Sequence, residues 1–154
     1  MKKYTPAQAK EKILCYCAYQ ERSHYEVRKK LYDYGLYGSE VEPLLSFLIT
    51  EGFLNEERFA KAFAGGKFRM KKWGKLKIVN ELEAHDISKN CIKSGLKEIS
   101  DEDYHKTLAE ILEKKGKLLS EENDFIRRDK LAKYAIQKGY EPDLVRRLIK
   151  ESKF

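Results

Sequence analysis

A cationic segment around the one tryptophan of the chain contains the residues whose types and spacing favour a binding chemistry. Residues 58–80 hold eight basic and no acidic side chains, which gives this stretch a formal charge of +8. Cations clustered beside an aromatic ring are typical of a surface that binds an anionic partner, either phosphate groups or acidic side chains. The sequence leaves a second interpretation open, in which the lysines lie on a solvated helix face and Trp73 is packed.

The predicted contact residues are the cations nearest Trp73, together with the indole as an aromatic anchor. We call this set the basic segment, and it comprises Lys67, Arg69, Lys71, Lys72, Trp73, Lys75 and Lys77. A second group of cations lies in residues 125–154, where the net charge is +5: Arg127, Arg128, Arg146 and Arg147. These arginines form either a second contact patch or an ordinary solvated surface.

Two features of the basic segment and of the residues just before it oppose helix formation. Lys67 and Lys71 would lie one turn apart, where like charges destabilise a helix by roughly 0.2–0.5 kcal/mol. Gly65 and Gly66 each cost about 1 kcal/mol in a helix interior. Residues that destabilise a helix without an evident structural benefit are typical of functional sites, so these residues indicate a functional segment.

Sequence motifs of catalysis are absent. The chain has no phosphate loop ending in Lys-Ser/Thr, no His-Glu-x-x-His and no serine elbow. We expect His85 to pack between helices, and we expect the acidic run at residues 101–103 to begin a helix, where the dipole favours negative charge. Six tyrosines between residues 16 and 37 are predicted to pack helices rather than to stack on bases. The sequence therefore predicts a protein that is not an enzyme, with no metal and no cofactor.

Composition restricts the class of protein. With 154 residues, 42% hydrophobic and 37% charged, the chain is too apolar for a disordered protein and too charged for a membrane protein. The first residues lack an uninterrupted apolar stretch of the kind found in signal peptides. Three cysteines, an odd number, favour reduced thiols over a disulfide framework. We expect a cytoplasmic monomer that does not contact membranes.

The elements that must position the basic segment are predicted to be helices. Apolar residues recur with a period of 3.6, and sustained alternation is absent, so the fold class is all-α. Each of the three prolines (Pro6, Pro43 and Pro142) is predicted to stand at a helix start, and Ser23-x-x-Glu26 is predicted to form a capping box. Glycines 35, 52, 74, 116 and 139 lie near joints, where left-handed C-terminal caps are expected.

An internal repeat predicts the architecture. The residues Val27, Leu31, Tyr34, Gly35, Leu36, Val41 and Leu45 reappear 51 residues later as Ile78, Leu82, His85, Asp86, Ile87, Ile92 and Leu96, and 53 residues further on as Leu131, Ala135, Lys138, Gly139, Tyr140, Val145 and Ile149. We predict three tandem three-helix modules, 1–54, 55–100 and 101–154. Because one such module buries little surface alone, the modules should stack into an elongated, curved row.

Three blocks of residues occur in a characteristic order and spacing. They are Ser23-x-x-Glu26-Val27-x-x-Lys30-Leu31-x-x-x-Gly35, then Leu48-x-x-x-Gly52-Phe53-Leu54-Asn55-Glu56-Glu57-Arg58-Phe59-Ala60, then Lys72-Trp73-Gly74-Lys75-Leu76-Lys77-Ile78-x-x-Glu81-Leu82. Together they resemble the RecX family of bacterial recombinase regulators. The sequence departs from the family pattern at Asn55, where Asp is usual, at Lys75, where Pro or Arg is frequent, and at Gly65-Gly66, where apolar residues are normal.

The resemblance implies both a fold and a role. It implies three tandem three-helix repeats and a regulatory protein that binds the RecA recombinase filament in its helical groove. The implied effect is modulation, usually inhibition, of ATP hydrolysis, strand exchange and co-protease activity in recombination, repair and the SOS response. Two other interpretations stay open: a stand-alone helical protein that binds single- or double-stranded DNA or RNA through the basic segment, and a purely structural scaffold.

Overall fold

The computed structural model describes residues 3–151, and all regular structure in that range is helical. The helices are α1 (Pro6–Tyr19), α2 (His24–Asp33), α3 (Gly38–Thr50), α4 (Glu56–Lys71), α5 (Lys75–Ala84), α6 (Lys89–Leu96), α7 (Asp101–Leu118), α8 (Asp124–Gln137) and α9 (Pro142–Glu151). This confirms the all-α prediction. A search of these helices for one with the length and apolar character needed to cross a membrane finds none.

The three copies of the repeat share one way of ending a helix. After α2, α5 and α8 a single residue adopts the left-handed conformation: Gly35 at φ 88°, Asp86 at φ 57° and Gly139 at φ 104°. The following residue in each copy donates its N–H to a carbonyl five residues earlier, and these bonds are Leu36 to Leu31 (3.4 Å), Ile87 to Leu82 (3.1 Å) and Tyr140 to Ala135 (3.3 Å). This is the Schellman arrangement of helix C-termini.

The repeat is also present in the burial of side chains. The first two apolar positions of every copy are fully buried: Val27, Leu31, Ile78, Leu82, Leu131 and Ala135 are all 0% exposed. The internal repeat that the sequence predicts is therefore confirmed in backbone and core. The module boundaries at residues 54 and 100 stay a prediction, and so does the elongated, curved form.

The described residues form two compact units. The first unit consists of the chain up to Ala62 together with Leu82–Gly95, and the second consists of Phe63–Glu81 together with the chain from Leu96 onward. The core of the first unit is formed by Ala9, Ile13, Val27, Leu31, Leu36, Val41, Leu45, Leu48 and Leu54. In the second unit α7, α8 and α9 pack on one another. All the basic-segment residues and the four C-terminal arginines belong to this second unit.

Some of the predicted helix ends are confirmed and others are wrong. Ser23 forms the predicted capping box, and Pro6 and Pro142 begin α1 and α9 as expected; Thr5, before Pro6, forms a further capping box. Pro43, however, lies inside α3, so the carbonyl of the residue four positions earlier receives no N–H from it. Gly116 lies within α7.

The expectation for Gly74 is also wrong, because the left-handed residue between α4 and α5 is Lys72, at φ 60°. The error has a physical reason. A glycine can be needed for the space that a missing Cβ leaves, and such a glycine has no requirement for a positive φ.

Candidate partner-binding surface

Helix α4 carries the first half of the basic segment through its two glycines without interruption. The two glycines differ in their surroundings. A Cβ added at Gly65 would lie 2.7 Å from a guanidinium nitrogen of Arg69, whereas one added at Gly66 would meet nothing within 4 Å. Gly65 therefore gives Arg69 room to fold back over the helix, a structural gain that the sequence did not reveal. Gly66 shows no such gain.

The turn after α4 places Trp73 back beside that helix. Lys72 donates its N–H to the carbonyl of Phe68 (3.0 Å), and Trp73 donates its N–H to the carbonyl of Lys67 (3.4 Å). Because Lys72 is left-handed, the chain reverses direction there and enters α5 at Lys75. The reversal brings residues from both helices around one indole ring.

The Trp73 cluster, which we define as Phe63, Lys67, Trp73 and Lys77, combines aromatic packing with cation–π contacts. The ammonium of Lys77 lies 4.5 Å from the centroid of the indole, and that of Lys67 lies 5.1 Å away. Both distances fall within the range of about 6 Å over which a cation is attracted to an aromatic ring. Phe63 meets the indole edge-on at 6.3 Å. Trp73 is half-buried, and no carboxylate of the described residues pairs with the two lysines that flank it.

Two glycines in close contact fix this turn to the joint after α8. Gly74 donates its N–H to the carbonyl of Lys138 (2.8 Å), and Leu76 donates its N–H to the carbonyl of Gly139 (2.9 Å). A Cβ added at Gly74 would lie 2.2 Å from the carbonyl carbon of Gly139, and one added at Gly139 would lie 2.4 Å from the Cβ of Lys77. The approach of the two chain segments therefore requires that both residues lack a side chain.

Two buried tyrosines hold the turn from the other side. The hydroxyl of Tyr104 accepts the N–H of Lys75 (2.9 Å) and donates to the carboxylate of Glu141. The ring of Tyr140 stacks on Tyr104 at 5.0 Å, and its hydroxyl donates to the carbonyl of Lys72 (3.0 Å). Burial raises the pKa of both tyrosines, and the hydrogen bond to Glu141 raises the pKa of Tyr104 further. Both hydroxyls therefore stay protonated and act as donors.

The structure separates the predicted contact cations into two groups. Lys75 already has partners within the second unit, because its ammonium lies 3.6 Å from the carboxylate of Asp101 and 4.6 Å from the ring centroid of Tyr104. The remaining cations of the basic segment make no ion pair with any residue in the range 3–151, and Arg69, Lys71 and Lys72 are also exposed. These are the side chains that an anionic partner can reach most easily.

The four arginines near the C-terminus divide in the same way. Arg127 donates to the carbonyl of Gly116 (2.8 Å), and Arg128 pairs with Asp124 one helical turn away (3.0 Å). Arg146 and Arg147 are exposed on α9, where they pair with none of the described carboxylates. Whether these arginines contact a partner stays a prediction.

Three further lysines near the basic segment were missed by the sequence argument. Lys114, Lys115 and Lys138 line a cavity of 310 Å³ together with Lys72, and its apolar wall includes Leu118 and Tyr134. The lysines come from α7 and from the end of α8, which are distant from α4 in sequence. Only the folding of the second unit brings them together, so no local pattern could have found them.

His85 has the packing role that the sequence predicts. Its Nδ1 lies 3.1 Å from the hydroxyl oxygen of Ser23, and its ring contacts Phe59 (5.5 Å) and Tyr25 (6.0 Å). The grouping of Ser23, Glu26 and His85 resembles a catalytic triad in composition only. Ser23 is 0% exposed, and its hydroxyl accepts the N–H of Glu26 at 3.1 Å as the cap of α2. No group of His, Cys, Asp and Glu that could hold a metal ion occurs among the residues the structure describes.

The prediction that the six tyrosines pack helices is correct for three of them, since Tyr25 contacts the ring of His85 (6.0 Å), and wrong for Tyr19, Tyr32 and Tyr37. Tyr16 and Tyr34 pack against the core of the first unit. The other three are at the surface: Tyr19, Tyr32 and Tyr37 are 82%, 43% and 65% exposed. A tyrosine can remain at the surface because its hydroxyl is hydrated and its ring can bind a cation. The ammonium of Lys3, 3.8 Å from the ring centroid of Tyr37, is an example.

Comparison with protein families gives matches in two successive parts of the chain. The model described as "RecX, second three-helix domain" matches residues 55–96, and the one described as "RecX, third three-helix domain" matches residues 101–149. Together they cover more than half of the sequence.

Curated relatives carry the same family name. Regulatory protein RecX of Herbaspirillum seropedicae is 32% identical over 87 residues, which are 56% of this chain and 55% of that protein. Its counterpart in Lactococcus lactis subsp. cremoris (strain SK11) is 32% identical over 98 residues, 63% of this chain and 36% of that protein. Regulatory protein RecX of Clostridium perfringens (strain 13 / Type A) is 30% identical over 129 residues, which are 80% of this chain and 60% of that protein. The chain thus spans less than two thirds of each of these relatives.

Solved structures share the fold. A crystal structure of regulatory protein RecX superposes with a TM-score of 0.85 at 21% identity, over 96% of this chain and 73% of that chain. The crystal structure of RecX from Lactobacillus salivarius gives 0.83 at 20% identity, over 95% of both chains. With the repeated helix ends, the family models and these folds in agreement, the chain belongs to the RecX family.

Proposed function

We propose that this protein binds the RecA recombinase filament in its helical groove and inhibits ATP hydrolysis, strand exchange and co-protease activity. In this proposal it acts in the cytoplasm as a regulatory protein and not as an enzyme. Two lines support the proposal: the chain belongs to the RecX family, and its matched relatives are named regulatory proteins. The observation that carries it is a set of cations around Trp73 that pair with no carboxylate of residues 3–151, on a turn that glycine contacts and buried tyrosines hold in place.

The physical mechanism depends on several weak contacts. In our proposal the three modules, with boundaries near residues 54 and 100, touch successive protomers of the filament. Each contact after the first forms at high effective concentration, so none of them has to be strong alone. Occupancy of the groove then blocks entry of duplex DNA and disfavours the changes between protomers that accompany nucleotide hydrolysis.

The basic segment supplies the proposed contact of the second unit. Lys71, Lys72 and Arg69 attract acidic side chains or phosphates of the filament, because they are exposed and form no ion pair within the described range. Trp73 serves as the aromatic anchor at the centre of this surface. Lys67 and Lys77 keep the indole oriented, since their ammonium groups lie over its ring.

Charge reversal within the basic segment tests the proposal. The triple variant Arg69→Glu, Lys71→Glu, Lys72→Glu reverses the three contact cations and leaves Lys75 unchanged, because that side chain pairs with Asp101. We expect the concentration needed for half-inhibition of recombinase ATPase on single-stranded DNA to rise about tenfold or more. The matched control reverses three exposed lysines elsewhere, Lys29→Glu, Lys97→Glu and Lys106→Glu, and should inhibit nearly as well as the parent. Equal inhibition by the parent and the triple variant would remove the basic segment from the mechanism.

The second candidate is a nucleic-acid-binding protein that acts without the recombinase. The specific observation in its favour is the cavity where Lys72 meets Lys114, Lys115 and Lys138, because four lysines against the one carboxylate of Glu110 suit phosphates. Co-sedimentation with recombinase filaments, with naked single-stranded DNA as the comparison, separates the candidates. Retention by filaments far above that by naked DNA supports the first, and equal retention supports the second.

A further inference from the structure

The first unit has a depression lined by aromatic rings, which we call the tyrosine groove. It has a volume of 650 Å³, and its aromatic lining consists of Tyr4, Tyr16, Tyr19 and Tyr34. Tyr4 and Tyr34 are fixed to each other by an edge-to-face contact at 5.5 Å and by a bond from the N–H of Tyr4 to the carbonyl of Tyr34 (2.9 Å). These two rings, which flank α1 and α2 in the chain, are therefore held in place beside Tyr16 and Tyr19 of α1.

Cations are interleaved with these rings. The guanidinium carbon of Arg22 lies 3.7 Å from the ring centroid of Tyr16, and its Nε donates to the carbonyl of the same residue (3.0 Å). Lys30 lies 5.3 Å from that ring, and Lys12 lies 4.7 Å from the ring of Tyr4. The groove contains one carboxylate, Glu11. None of the three cations pairs with a carboxylate of residues 3–151, so the lining has a net positive charge.

Tyr19 is the most accessible ring of the groove. It is the last residue of α1, and it is 82% exposed. The guanidinium carbon of Arg22, which also lies over the ring of Tyr16, is 5.8 Å from the ring centroid of Tyr19. An exposed ring beside a fixed guanidinium is a platform on which a nucleobase can stack, since proteins that bind single strands combine such rings with a positive groove.

The chemistry of the lining favours a nucleic acid over an acidic peptide. Tyrosines, cations, one carboxylate and the thiol of Cys15 account for the whole lining, which has no aliphatic side chain. The apolar side chains of a peptide would find no aliphatic surface there. A nucleobase of any type, by contrast, can stack on an aromatic ring.

We propose that the tyrosine groove binds single-stranded nucleic acid, with a base stacked on Tyr19 and backbone phosphates at Lys12 and Lys30. This site is separate from the basic segment, and its binding requires no recombinase. It therefore goes beyond the proposed function and can fail while that function stands.

Fluorescence anisotropy with a labelled oligothymidylate and no recombinase tests the stacking. Tyr19→Ala should weaken binding on the order of tenfold, and Tyr19→Phe should bind like the parent because the ring is kept. The control is Tyr37→Ala, which removes an exposed tyrosine that does not line the groove. Lys12→Gln and Lys30→Gln should each reduce the salt dependence, the slope of log K against log salt concentration, by about 0.7. Equal affinities for the parent and Tyr19→Ala would overturn the proposal.

The cysteines provide a second readout on the same protein. Cys15 is exposed within the groove, whereas Cys91 lies outside it. Bound oligothymidylate should slow alkylation of Cys15 severalfold and leave Cys91 unaffected. Burial raises the pKa of the Cys17 thiol, so that residue contributes little to the measured rate. Protection of Cys15 by polyglutamate as strong as that by the oligonucleotide would overturn the proposal in favour of an acidic peptide.

Discussion

Two pairs of glycines in the second unit have opposite effects on the stability of the fold. Gly65 and Gly66 are adjacent inside α4, where they are conspicuous in the sequence and weaken the helix. Gly74 and Gly139 are far apart in the sequence, yet their backbones are in direct contact and fix the turn that presents Trp73. A glycine is therefore structurally required where another backbone segment occupies the place of its side chain, whatever the sequence around it.

The largest effect should come from adding a methyl group at the contact. Gly74→Ala places a Cβ about 2.2 Å from backbone atoms that cannot move aside, and we expect it to lower the free energy of unfolding by more than about 4 kcal/mol. Gly139→Ala should cost at least as much, because its φ of 104° adds strain. Urea unfolding followed by circular dichroism measures both.

Gly52→Ala is the matched control for these variants. Gly52 has a φ of 80°, but a Cβ there would meet nothing within 4 Å. Its substitution measures the cost of the left-handed conformation alone, about 1 kcal/mol. A loss at Gly74 no larger than that at Gly52 would contradict the role assigned to the contact.

The hydroxyl of Tyr104 should have the next largest effect. Tyr104→Phe leaves the N–H of Lys75 and the carboxylate of Glu141 without their partner, and we expect a loss of about 2 kcal/mol in the free energy of unfolding. Tyr32→Phe, at an exposed ring, should change the same quantity by less than about 0.5 kcal/mol. A Tyr104→Phe protein as stable as the parent would mean that the glycine contact alone holds the turn.

Alkaline pH should weaken the same region. Burial raises the pKa of Tyr104 and Tyr140 in the folded protein, while the unfolded chain titrates near the ordinary value of about 10. The stabilisation from these groups is therefore complete below about pH 10 and is lost as the pH rises above it, by up to about 1.4 kcal/mol per pH unit for each tyrosine. Urea midpoints of the parent and of Tyr104→Phe should converge as the pH rises from about 9 to 11. Parallel curves would contradict the raised pKa of Tyr104.

The smallest effect has the opposite sign. Gly66→Ala should raise the free energy of unfolding by about 1 kcal/mol, because alanine favours the helix and nothing obstructs its methyl group. Gly65→Ala should gain less, since the guanidinium of Arg69 must move away. Thermal unfolding of the two variants side by side gives the difference. A loss of stability at Gly66 would show that the open space is used in the folded protein.

Local patterns predicted local structure well. The capping boxes at Thr5 and Ser23 and the repeated helix ends follow from residues close together in the chain, whose hydrogen bonds depend on few neighbours. The same reasoning misplaced Pro43, since a proline tolerated inside a helix looks in sequence like one that starts it. The surface tyrosines were also predicted wrongly, because the spacing of residues along a helix does not show whether a tyrosine ring is buried or exposed.

The candidate surface was predictable in composition and not in geometry. Net charge identified the basic segment, but no sequence pattern could say that Lys75 pairs with Asp101 while Lys71 pairs with none of the carboxylates that the structure describes. Those facts depend on which helices pack together. The same is true of the contact between Gly74 and Gly139 and of the lysine cavity.

The left-handed residue after α5 has a consequence for how such repeats diverge. Asp86 adopts the backbone that Gly35 and Gly139 adopt, with the same hydrogen bond from the next residue. A repeat unit can therefore carry a residue other than glycine there and still turn at the same place, at a small conformational cost. The shared hydrogen bond identifies the three joints better than residue type does, and chimaeras with exchanged units joined at these turns should have compatible ends.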